Sequence, residues 1–335
     1  MKNRAKLFGI YLPIYLILLI SAVTLRTVAC IKYQDNFGFF SDKALINAAG
    51  ISLAVGTLFF LTFIWLAKTE IKLVPTFDTP SSYVPSGILA VTHLFLARHL
   101  FSVALAMKSD AMLTKIFTVS VAILSILSAV FFTVNTFFVR RISIKRSNFA
   151  LVTLVFLCCY LAYVYFDNSV PLNSTNKITD QMAYISIMLF FLYETRLSLG
   201  REKWRPYIAF GFIASILTAF SSIPAITVYA LEGKVISSSI YETLLTLTFF
   251  IYITSRLFLT GKLINDKESP VVTGIITAAA HRVDELTPKP EESVAEEQAD
   301  EETETDENQI SIDELESSDT RDTEAYSENE EMPSE

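Results

Sequence analysis

Eight separate stretches of the chain, 7–30, 44–67, 86–107, 114–139, 149–166, 182–199, 207–231 and 238–259, are each apolar over close to the length a helix needs to cross a bilayer. Physics sets that length: about 20 residues at a rise of about 1.5 Å cover a hydrocarbon core of about 30 Å. Lipid offers no partner for a backbone amide, so each crossing segment must satisfy its own amides as a helix. The pattern predicts an all-α, polytopic integral membrane protein, a helical bundle of about eight transmembrane helices occupying 1–262, with the lipid bilayer as its first partner. A composition of 52% hydrophobic and 19% charged residues belongs to the same class. The first stretch follows Lys2, Arg4 and Lys6 as a signal peptide would, but its 24 residues are too many for a cleavable hydrophobic region.

The charges divide the chain in two. From Asp284 onward 22 acidic residues face only Lys289 and Arg321, a net of −20, while the preceding residues carry a net of +12. From 287 to 335 the chain is Pro, Glu, Ser, Thr and Asp with few aromatics, a composition that cannot bury enough surface to offset ordering entropy, so a disordered acidic tail is expected. Between bundle and tail, 263–286 reads as a juxtamembrane segment with an amphipathic helix carrying Ile275, Ile276, Ala279, Val283 and Leu286. Ile310, Ile312 and Leu315, set among acids, form a candidate docking motif. The expected partners of the tail are a cytoplasmic protein or the chain's own basic loops; oligomeric state is not legible.

Orientation follows from the bias of lysine and arginine towards loops that resist translocation. One side receives Lys2, Arg4 and Lys6, then Lys68 and Lys72, then Arg140, Arg141, Lys145 and Arg146, then Arg196, Arg201, Lys203 and Arg205, and last Arg256, Lys262 and Lys267. The other receives Arg26, Lys32 and Lys43, Lys108 and Lys115, Lys177, and Lys234. This alternation places the protein in the cell membrane with both termini cytoplasmic. Asn173-Ser174-Thr175 is then a glycosylation sequon in an outward loop. Tyr160, Tyr163 and Tyr165 are expected in an interfacial aromatic belt.

Chemistry is sparse. Arg98, in the third stretch with His93 and His99, is the most informative residue, because a mid-span charge costs about 2.5–3.5 kcal/mol on insertion scales. It needs a counterpart, and Glu242 is the expected one, with Glu194 as the other carboxylate available. His93 and His99 are six apart, which leaves them about 120° apart around a helix, unlike the three or four of a chelating pair, so no metal site is expected. Thr218, Ser221 and Ser222 precede Pro224, whose ring removes a backbone hydrogen bond and frees a carbonyl. Gly211 and Ser215, four apart, read as a close helix contact. Arg98, His93, His99, Glu242, Ser221 and Ser222 are thus the candidate polar site inside the membrane.

The segments 190–197 and 249–257 share a pattern of paired Phe, then Tyr, then Arg-Leu. No HExxH, GxSxG or P-loop is present, and no nucleophile can be matched to a base, so no catalytic residue and no cofactor is assigned. Basic residues are scattered over short loops without a stripe of stacking aromatics, which argues against nucleic acid as a partner. Cys30, Cys158 and Cys159 have no disulfide or zinc spacing. The functional expectation is a non-enzymatic multi-pass membrane protein with an interacting or regulatory acidic tail; the alternative is a transporter or an anion- or headgroup-sensing protein using Arg98 and helix seven.

Overall fold

Every regular element is an α-helix in the computed structural model, which describes residues 2–35, 39–66, 80–107, 112–137, 144–167, 171–198, 204–236 and 239–265. In chain order these are α1 (Lys2–Tyr33), α2 (Ala44–Leu66), α3 (Pro80–Ala106), α4 (Met112–Phe137), α5 (Ile144–Phe166), α6 (Thr175–Ser198), α7 (Trp204–Glu232) and α8 (Ile240–Asn265). The expected tail, its docking motif Ile310, Ile312 and Leu315, and most of the juxtamembrane segment lie outside the described residues. Seven helices carry a stretch long and apolar enough to cross a membrane; α6 is the exception among the eight expected spans. Lys177, Asp180, Glu194 and Arg196 are what dilute it.

Neighbouring helices pack α3 on α4, α4 on α5, α5 on α6, α6 on α7 and α7 on α8, and α8 returns to α3. Six helices therefore close a ring, and the α1–α2 pair leans on its α7 side. Helix α7 touches α1, α2, α6 and α8, which is why nearly its whole length is buried, from Trp204 and Tyr207 to Ala225 and Val228. Gly211 lies within this buried length. A Cβ there would stand 2.6 Å from Leu257 Cδ2 on α8 and 3.3 Å from Phe190 Cε2 on α6, so the expected close contact exists and a side chain would require Leu257 to move.

The axis of the ring is filled with aromatic side chains. Phe132 of α4 meets Phe191 of α6 and Tyr252 of α8, with ring centroids 5.8 and 5.6 Å away, and Phe191 stacks on Tyr252 at 5.5 Å. Phe156 stacks on Tyr160 at 5.4 Å, and Tyr160 meets Tyr184 edge-on. Tyr160 is thus buried in the axis rather than standing in an interfacial belt; Tyr163 stacks against it, and Tyr165 alone of the three is exposed. Such pairs add about 0.5–1.5 kcal/mol each beyond the area they bury. The similar segments 190–197 and 249–257 face each other across this axis, through Phe191 against Phe249 and Tyr252.

Polarity is reversed relative to a water-soluble bundle. On α6 the exposed residues are Ile178, Met182, Ile185 and Leu192, recurring at helical spacing, while Asn176, Asp180, Ser186 and Glu194 are buried. An apolar stripe outside and polar groups inside is the arrangement a hydrocarbon solvent selects.

Candidate functional site

Three polar groupings occupy the interior. The first joins α1, α6 and α7 around Arg26, which is 1% exposed. Pro224 has no N–H, so the carbonyl four residues earlier, that of Phe220, loses its helical donor. Arg26 replaces it: Nη1 donates to the Phe220 carbonyl at 2.9 Å, and the guanidinium lies 4.5 Å from the centre of the Phe220 ring. Nη2 donates to Asn176 Oδ1 at 3.0 Å, and Asn176 Nδ2 donates to the Ile236 carbonyl at 2.8 Å. Ser221 Oγ donates to Asp180 Oδ1, and that carboxylate stands within electrostatic reach of Arg26. Arg26 Nε is buried and has no acceptor among the described residues.

The second grouping ties α6 to α8. Arg256 Nε lies 3.2 Å from Glu194 Oε1, at ion-pair distance without hydrogen-bond geometry. Tyr252 Oη donates to both Glu194 oxygens at 3.1 and 3.2 Å and accepts from Arg256 Nη2 at 3.0 Å. Both charged residues are buried, so the tyrosine bridges an ion pair that water does not screen.

The third surrounds His93 and Glu242. His93 is 0% exposed, lies between Phe132, Phe156 and Phe249, and pairs Nδ1 with the Leu89 carbonyl at 2.8 Å, so that Nδ1 is the donor. Its Nε2 faces no partner among the described residues. Glu242 is buried near Tyr160 and Tyr184, and Tyr184 also reaches Thr246 at 3.1 Å.

The residues singled out from sequence are therefore divided. His93 and Glu242 are interior; Ser221 joins the Arg26 grouping; Ser222 returns its hydroxyl to the Thr218 carbonyl at 2.7 Å. His99 is half-buried and stacks on Tyr241 at 4.7 Å, pointing away from His93. Arg98 is exposed on the outer face of α3, and no ion pair joins it to Glu242. Glu194 pairs with Arg256 instead.

Arg26 and Arg256 are the functional-looking residues that sequence reasoning assigned to the loops at the span ends. A signal existed for Arg26: Pro224 announces a free carbonyl near the middle of a span, and an arginine on another span is a suitable donor. Among the described residues no three His, Cys, Asp or Glu side chains gather as a metal site would require. No family model matches the sequence, and comparison with curated proteins and with solved structures finds no match either.

Proposed function

We propose that the chain is a non-enzymatic, eight-span protein of the cell membrane, with both termini cytoplasmic, whose bundle is a closed scaffold for an interacting acidic C-terminal segment. The observation that carries this reading is the aromatic filling of the ring axis, with Phe132, Phe191 and Tyr252 in mutual contact and His93 between Phe132, Phe156 and Phe249, where a conducting path would need water. The buried ionisable groups serve this scaffold by joining helices: Arg26 links α1 to α6 and α7, and Arg256 links α8 to α6. The eighth span is α6, supported by its outward stripe of Ile178, Met182, Ile185 and Leu192 and by its place between α5 and α7. The net charge of −20 beyond residue 283 suits a basic surface on a cytoplasmic partner, with a salt-sensitive attraction.

Proximity labelling from the C-terminus tests the proposal in the cells that make the protein. The full chain is compared with one ending at Leu286 and with one whose acidic residues after 286 are changed to Gln and Asn. A set of basic proteins labelled by the full chain alone is expected. The same set from all three chains would contradict it.

A rival reading, transport or anion sensing through helix seven, has one observation in its favour: Arg26 Nε, buried beside Pro224, keeps a donor unused by the described residues. Chloride flux into vesicles holding the protein, lost on Arg26→Leu, would support it; vesicles that are tight with the unaltered chain would dismiss it.

A further inference from the structure

Arg98 sits in an improbable place. The outward stripe of α3 consists of Ile88, Val91, Leu94, Phe95 and Leu105, all exposed, and Arg98 lies within it, exposed as well. The apolar stretch of this helix runs from Tyr83 to Ala106, so Arg98 is eight residues from the nearer end. At about 1.5 Å per residue that is about 12 Å of helix, and about 5 Å from the middle of the span. A guanidinium in this position faces hydrocarbon, at a cost of about 2.5–3.5 kcal/mol on insertion scales. Snorkelling is hindered by direction: Cα–Cβ bonds tilt towards the helix N-terminus, which for Arg98 leads away from the nearer surface.

The counter-charge does not come from this chain's own spans. The carboxylates buried within the described helices are Asp180, Glu194 and Glu242, and none of them reaches the outer face of α3. Asp180 holds Ser221, Glu194 holds Arg256 and Tyr252, and Glu242 lies beside Tyr160 and Tyr184. A second copy of the chain has the same residues in the same places, so its described helices present no acid to the outer face of α3. We propose that this face docks a transmembrane helix of another protein, one that carries an Asp or Glu at the depth of Arg98 and an apolar stripe against Ile88, Val91, Phe95 and Leu105. The inference rests on the reading of the chain as an interaction protein and names a second, intramembrane contact for it.

The test uses the full chain, dye-labelled and reconstituted in phosphatidylcholine vesicles, with synthetic polyleucine transmembrane peptides as probes. One peptide carries a central Glu, one a central Gln and one neither, and association is read by energy transfer. The Glu peptide is expected to associate about tenfold more tightly than the leucine peptide, in keeping with interhelical polar contacts in membranes. The preference should vanish with Arg98→Leu and persist with Arg98→Lys. Arg98→Leu removes a lipid-facing charge, so the variant is expected to insert and fold, and unchanged unfolding confirms that it has.

Equal association of all three peptides, or a preference that survives Arg98→Leu, overturns the proposal. Arg98-dependent retention of phosphatidylglycerol with no peptide preference assigns the site to a lipid headgroup, and Arg98-dependent self-association assigns it to a second copy; either result also overturns it. The acidic segment stays intact throughout, so failure here leaves the labelling result of the truncated chain standing.

Discussion

Buried charges in this bundle are useful only in pairs or with fixed acceptors, and that gives their substitutions a characteristic signature. Arg256→Met leaves the Glu194 carboxylate in the interior without its cation, and a loss of about 3–5 kcal/mol is expected in reversible unfolding in mixed micelles. Adding Glu194→Leu to the same chain should restore most of it, because the stranded charge is gone. Equal instability of single and double variants would count against the pair. Arg26→Leu uncovers the Phe220 carbonyl and Asn176, and Pro224→Ala gives that carbonyl back a helical donor. The two should therefore be non-additive, with Arg26→Leu costing less in the Pro224→Ala background, by about 0.5–3 kcal/mol. Strict additivity would show that Arg26 does not replace the missing amide. Legibility at this scale was uneven. Arg98 stood out because it is near the middle of an apolar run, whereas Arg26 and Arg256, three or four residues from a span end, looked like ordinary loop-facing charges. Depth along one helix is readable from sequence; the direction a side chain faces depends on neighbours that no single helix specifies.

Helices were easier to read than their surroundings. The apolar runs place all eight, and the ends move by a few residues because polar turns such as 80–85 and 175–181 continue the helix beyond the apolar stretch. Helix α6 shows why composition misleads. Its charges lower its hydropathy, yet Lys177, Asp180 and Glu194 are buried, and its outer stripe is as apolar as that of its neighbours. Ile185→Arg, near the middle of that stripe, is expected to cost about 2.5–3.5 kcal/mol of insertion free energy if α6 crosses the bilayer. Ser186→Ala, one position away and buried, should leave insertion unchanged. A glycosylation-based insertion assay separates the two; indifference to Ile185→Arg would mean α6 does not meet lipid. On α7, Gly211→Val would drive methyl groups into Leu257 and Phe190, and a loss of about 1–3 kcal/mol is expected from the same unfolding measurement. The glycine's role was visible in its spacing from Ser215, but which helices it admits was not.

The described helices form a six-helix ring with an aromatic interior and a helix pair at its side, and this closure was the least legible feature. Eight apolar runs give a count; they do not say which helix lies beside which, because lipid-facing and core-facing residues are both apolar. Only the polar minority breaks that degeneracy, through contacts such as Tyr15 to Ser215 at 2.6 Å and Thr92 to Thr248 at 3.0 Å. The polar-inside arrangement of α6 makes the number of crossings the decisive quantity, since an even number returns the chain to the side on which it began. The measurement to make is the sidedness of both ends in one preparation, with an epitope at each terminus and protease added to sealed membranes of known orientation. Eight crossings predict that both epitopes are protected or both are cleaved. Opposite fates for the two would mean seven crossings, with α6 outside the bilayer, and would contradict the bundle proposed for this chain.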